Sequence, residues 1–96
     1  MPAMSLRVVA RIKARAETVS ELLSSLVEPT RKEFGCITYE LLQNTKDATD
    51  FTFVEEWESD EALASHLASD HLEAIGPKLK PLVTDLPDIR TYWLVK

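Results

Sequence analysis

A chain of 96 residues is a single domain, here spanning residues 1–96, and a domain this small buries only ~60 to 65% of the surface its unfolded chain exposes. Its formal net charge of −5, with no basic run longer than Arg31-Lys32, excludes an electrostatic footprint for nucleic acid. Hydrophobic residues at 45% and charged residues at 28% leave no low-complexity tract, one cysteine excludes an intramolecular disulfide, and no long apolar run marks a membrane span.

With no secretory leader, the expectation is a soluble cytoplasmic protein whose residues 1–4 are a disordered lead. Leu6 to Ile12 alternates Leu6, Val8, Ala10 and Ile12 against Arg7, Val9 and Arg11, which predicts a first strand with one apolar face. Val19, Leu22, Leu23, Leu26 and Val27 then recur at helical spacing, with Thr18 and Glu21 placed for a capping box. Pro29 is expected to bend or interrupt this helix, and Gly35 to stop it in a left-handed turn, so that it ends near Phe34.

Cys36 to Gln43 reads as a second strand with Ile37, Tyr39 and Leu41 on one side. Asn44 to Asp50 is a polar hairpin connection into a third strand, Phe51 to Glu58. Ser59 suits an N-cap, with Asp60 and Glu61 at the positive end of a helix carrying Leu63, His66 and Leu67 on one face. Ser69 and Asp70 open another segment, in which Gly76, Pro77 and Pro81 predict a broken helix. Ile89 to Val95 is β-branched and aromatic and makes a last strand.

The order β-α-β-β-α-β is that of an α+β, ferredoxin-like domain, with an antiparallel four-stranded sheet and helices on one side. The other face carries Val9, Leu42 and Val54 among Arg7, Arg11, Thr38, Glu56 and Glu58, too mixed for a core and too apolar in places for free solvent. Packing of that face on a second copy, a homodimer, is the economical answer.

The inner face is not purely oily. The period of two places Phe51, Phe53, Glu55 and Trp57 on one side of the third strand, and the helical period places His66 between leucines. A carboxylate, an indole and an imidazole thus point toward one interior, where polar groups must be paired or used. His66, with an ordinary pKa of roughly 6.5, is the candidate proton acceptor. Glu55 either orients His66 or acts as the base itself, if burial raises its pKa. Trp57, Phe53 and Tyr39, with Phe51, supply aromatic walls for a flat ring. The same residues also read as plain core, with Glu55 as the hydrogen-bonding partner of a structural His66. His71, just after the cap residue Asp70, reads as a solvated or capping residue, with a place on the substrate-binding rim as the alternative. Two histidines with no correctly spaced third ligand do not make a zinc site, so no metal is expected. Cys36 reads as a small buried hydrophobe.

The segments E-F-G-C-I-T-Y-E-L at Glu33 to Leu41 and F-V-E-E-W-E-S-D-E-A-L-A-S-H-L at Phe53 to Leu67 resemble the antibiotic biosynthesis monooxygenase domain, across nearly the whole chain. The resemblance implies a dimeric α/β barrel with a pocket in each subunit between sheet and helices. It also implies several activities: oxidation of phenols or quinols by molecular oxygen without metal or flavin, degradation of haem, or isomerisation of small phosphorylated sugars. Haem-degrading relatives need an asparagine on the first strand, and the matching position here is Ala10. The first expectation is therefore a cofactor-independent monooxygenase acting on a small phenolic or quinol-like aromatic compound, with His66 and Glu55 handling the proton. The alternatives are an isomerase or lyase on a small carbonyl compound, which wants an arginine or lysine to anchor a phosphate, and a non-enzymatic dimeric binding module.

Overall fold

The structure, a computed structural model, describes residues 5–96; the disordered lead expected at residues 1–4 lies outside the described residues. Strand β1 (Leu6–Lys13) is followed by two short helices, α1 (Val19–Ser24) and α2 (Val27–Arg31), then by strands β2 (Cys36–Asn44) and β3 (Asp47–Trp57). Helices α3 (Asp60–Leu67) and α4 (Asp70–Leu79), a 3-10 turn at Lys80–Leu82 and strand β4 (Asp88–Trp93) complete the chain. The strands lie in the order β2-β3-β1-β4, every pair antiparallel, with helices on one side: the α+β, ferredoxin-like fold. No helix among the described residues is long and apolar enough to cross a membrane.

Alternation decides the two faces of the sheet. Leu6, Val8, Ala10 and Ile12 on β1 and Phe51, Phe53, Glu55 and Trp57 on β3 are all buried, and the antiparallel register puts them side by side. Val19, Leu23, Leu63 and Ile75 close over them from the helices, with Leu26 from the link between α1 and α2. Trp57, Phe51, Leu23 and Val8 are completely enclosed, and burial of each such side chain contributes about 1.5–3 kcal/mol. The outer face is held by ion pairs: Arg11 meets Asp50 through two nitrogens, at 3.0 and 3.1 Å, Arg7 lies 3.6 Å from Glu56, and Lys13 pairs with Asp47.

Several boundaries differ from the sequence reading. The first helix is interrupted, as expected of Pro29, and the interruption falls at Ser25–Leu26, because a proline at 29 has no N–H to offer the Ser25 carbonyl four residues back. Pro29 becomes the third residue of α2, where its missing N–H would have had no intrahelical partner. Thr18 does precede α1 as its cap residue, but its side chain makes no capping bond. The hairpin connection is shorter than expected, since β3 begins at Asp47 and only Thr45 and Lys46 turn the chain, with Asn44 Oδ1 accepting the Lys46 N–H at 2.8 Å. An irregularity between Cys36 and Thr38 throws Ile37 out of register, so Cys36 stands opposite Trp57 and Ile37 is left half-exposed. Helix α4 runs unbroken through Gly76 and Pro77; the carbonyl freed by Pro77 belongs to the exposed Glu73, where water can satisfy it. Strand β4 stops at Trp93, and no residue of it is buried, because the helical layer covers β1 to β3 and leaves this edge open.

Candidate active site

The uncovered β4 edge gives access to a cavity of about 230 Å³ between the inner sheet face and the helices. Val8, Ala10, Ile12, Tyr39, Phe53 and Glu55 form its floor, and Leu63, His66, Leu72, Ile75 and Leu79 its roof. Leu67, Gly76, Pro87 and Ile89, all exposed, rim the mouth. Among the described residues, Glu55 and His66 are the two ionisable groups in an otherwise apolar lining, apart from the Tyr39 hydroxyl. An apolar concavity with a few convergent polar atoms is the usual form of a small-molecule site.

Glu55 sits mid-sheet, opposite Val8 on β1 and Tyr39 on β2. Its neighbour two residues on shares its face, and Trp57 Nε1–H donates to Glu55 Oε1 at 2.9 Å. The residue is only 5% exposed. Burial pushes its carboxyl up to about 7; the Trp57 bond pulls against that rise, and the charge of Glu33 adds to it. One carboxyl oxygen is thereby fixed, and the other is free to exchange a proton near neutrality.

His66 is carried by α3, whose start is fixed by Ser59 Oγ accepting the Ala62 N–H at 3.1 Å. Its position three residues after Leu63 turns both onto the buried face. His66 Nδ1 lies 2.7 Å from Glu33 Oε2, so Nδ1 donates and the neutral ring keeps its lone pair on Nε2. Burial holds the imidazole below its ordinary pKa, against the opposing pull of Glu33. Glu33 lies outside the cavity wall while His66 lines it, which leaves the Nε2 edge for the cavity. Trp57 packs behind the ring at a centroid distance of 4.7 Å, and Tyr39 meets it edge-on at 5.4 Å.

Among the residues singled out from sequence, Tyr39, Phe53, Glu55 and His66 line this one cavity. Trp57 does not; it stands behind the wall and holds Glu55. His71 also lies off the cavity, with Nε2 2.9 Å from Glu33 Oε2 and 3.1 Å from Thr30 Oγ1. Glu55 and His66 do not pair with each other: Trp57 takes the first and Glu33 the second. Glu33 is the residue that sequence reasoning missed. It precedes His66 by 33 positions, and its signals were its place at the head of the Glu33 to Leu41 segment and its position two residues before Gly35, whose φ of 80° turns the chain out of α2 and into β2. Cys36 is half-buried, and burial raises its thiol pKa, which disfavours the nucleophilic thiolate. Among the described residues, the cavity wall contains no arginine or lysine: Arg7 and Arg11 belong to the outer sheet face, and Lys78 lies outside the lining.

A family model described as "Antibiotic biosynthesis monooxygenase" matches residues 5–77. An "Uncharacterized protein sll1783" of Synechocystis sp. is 26% identical over 88 residues, covering 88% of the chain; the chain spans 60% of that protein's length. A Bacillus subtilis protein named "Putative monooxygenase YcnE" is 30% identical over 83 residues, covering 83% of the chain and 87% of the relative. Among solved structures, PA3566 from Pseudomonas aeruginosa superposes with a TM-score of 0.92 at 27% identity, covering 100% of the chain and 99% of that structure.

Proposed function

Because the chain belongs to the antibiotic biosynthesis monooxygenase family, we propose that it is a cofactor-independent monooxygenase acting on a small phenolic or quinol-like compound. The observation that carries this reading is Glu55: a buried carboxyl with a pKa of about 7, one oxygen held by Trp57, in the wall of an apolar cavity. A base with that pKa takes a phenolic proton near neutral pH, and the resulting phenolate gives up electrons to oxygen far more readily than the phenol does. His66 Nε2 accepts the second hydroxyl of a quinol, while Tyr39 and Phe53, 5.0 Å apart between ring centroids, stack against its ring. In the overall reaction the quinol supplies all four electrons, one oxygen atom enters a ring carbon, and the other leaves as water, which gives a hydroxyquinone.

Size narrows the substrate. An apolar cavity of ~150 Å³ holds benzene, so about 230 Å³ takes one substituted ring or a compact bicycle. Ala10, where a haem-degrading relative would carry an asparagine, offers the cavity no polar atom. The isomerase alternative on a phosphorylated substrate lacks a cationic anchor in the wall.

The working unit in this reading is a homodimer built on the outer sheet face, which has Val9, Val54 and the half-exposed Leu42 among its ion pairs. Light scattering at micromolar concentration is expected to give twice the chain mass, and a stable monomer would end the dimer proposal. For the chemistry, oxygen consumption is measured with a panel of hydroquinones for wild type, Glu55→Gln and His66→Ala. Consumption that falls by about 100-fold or more in Glu55→Gln supports a general base in that position. Equal rates in all three proteins, or no consumption with any quinol, would overturn the reading.

A further inference from the structure

Behind the cavity wall, three chain segments bring their ligating atoms to one point. Glu33 comes from the turn after α2, His66 from the last turn of α3, and His71 from the first turn of α4. His66 Nδ1 and His71 Nε2 both address the same oxygen, Glu33 Oε2, at 2.7 and 2.9 Å, and all three ligand atoms lie within 4.8 Å of one another. Two hydroxyls stand at the same nitrogen: Thr30 Oγ1 at 3.1 Å and Ser69 Oγ at 3.3 Å from His71 Nε2. The third ligand absent from the sequence reading is thus supplied by a residue 33 and 38 positions before the two histidines.

We propose that Glu33, His66 and His71 form a binding site for a divalent cation of the zinc class, closed by a water or by one of the two hydroxyls. Two imidazoles and a carboxylate are a borderline nitrogen and oxygen donor set, which favours zinc over magnesium or calcium. Bonds of ~2.0–2.1 Å in a tetrahedron set neighbouring ligands ~3.3 Å apart. The two nitrogens therefore withdraw from Oε2 by about half an ångström each as the ion takes the place of their shared protons. His71 is 24% exposed and Glu33 16%, so those two side chains can yield, and the ion has an approach that avoids the cavity. His66, at 3%, is the fixed ligand.

The ion has a consequence inside the cavity. With Nδ1 bonded to metal, the neutral imidazole of His66 carries its proton on Nε2. The atom that faces the cavity as an acceptor becomes a donor. Metal loading therefore reverses the hydrogen-bond polarity of the cavity roof without placing an ion in the cavity, and it disfavours a ligand hydroxyl that donates there.

The test is a titration of chelator-treated protein with Co²⁺, followed by its visible d–d absorption, and with Zn²⁺, followed by calorimetry. The probes are the metals alone, so the outcome is independent of any oxygenase activity. Expected are one ion per chain, a tetrahedral cobalt spectrum, and at least ~100-fold weaker binding in His71→Ala and in Glu33→Gln, each checked for folding by circular dichroism. Nitrogen NMR of His66 is expected to move the proton from Nδ1 to Nε2 as zinc is added. Absence of the cobalt bands in wild type, or binding of equal strength in His71→Ala, would overturn the site. So would an unchanged His66 tautomer at saturating zinc.

Discussion

Replacement of Glu55 by glutamine tests the electrostatics of the cavity without the chemistry. In the folded chain burial raises this carboxyl from an ordinary 4.5 to about 7. Below pH 4.5 the group is protonated in folded and unfolded chains alike, and it contributes no difference. Between about 4.5 and 7 the unfolded chain has released the proton while the folded chain still holds it, so wild-type stability falls as pH rises through this window. Above about 7 the full penalty, on the order of 3 kcal/mol, is present. Glu55→Gln keeps the volume and an oxygen to accept the Trp57 N–H, and its amide nitrogen faces the cavity. Urea unfolding followed by tryptophan fluorescence, at one fixed protein concentration, is expected to show the two proteins equal near pH 4 and the variant ahead by about 3 kcal/mol near pH 8. A difference of the same size at both pH values, or a wild type more stable near pH 8, would refute the account of Glu55 as a desolvated acid.

Trp57→Phe removes the donor that holds the Glu55 pKa down, so the rising limb of a pH–rate profile is expected to move to higher pH; an unmoved limb would mean that the bond does not tune the acid. Gly35→Ala forces a side chain into a φ of 80° and drives its Cβ into Ala62 on α3, with an expected loss of more than ~1 kcal/mol in chemical denaturation. Because α3 carries His66, the same variant is expected to disturb quinol oxidation as well. Ala10→Leu fills part of the cavity from its floor, so ligand binding measured by calorimetry should be lost while the melting temperature holds or rises.

Much of this molecule follows from periodicity. The alternation on β1 and β3 assigns Val8, Ala10, Phe53 and Glu55 to one face, and the helical spacing of Leu63 and His66 turns both inward, because side-chain direction is a local property of strand and helix. A strand, a cap at Ser59 and a helix in sequence therefore put Glu55 and His66 over the same interior before any contact is known. Gly35 is similarly legible, since a left-handed residue between a helix and a strand is a backbone requirement.

The pairing of polar groups was not legible, because it depends on which distant segments meet. Sequence reasoning offered Glu55 to His66; the packing of α2 against β2 and α3 against β3 instead presents Glu33 to the imidazole and leaves Trp57 for Glu55. The register slip at Ile37 is likewise decided by packing, which overrides a clean alternation when buried neighbours demand it. The sequence by itself determined the element order, the acidic surface and the inward residues, all set within a few neighbours along the chain. Only the tertiary structure decided that Trp57 supports the wall without lining it, and that His66 and His71 share one carboxylate oxygen. Hydrogen bonds and ligand sets are fixed to within a few tenths of an ångström, and residues 33 and 38 positions apart reach that precision only after the chain has closed on itself.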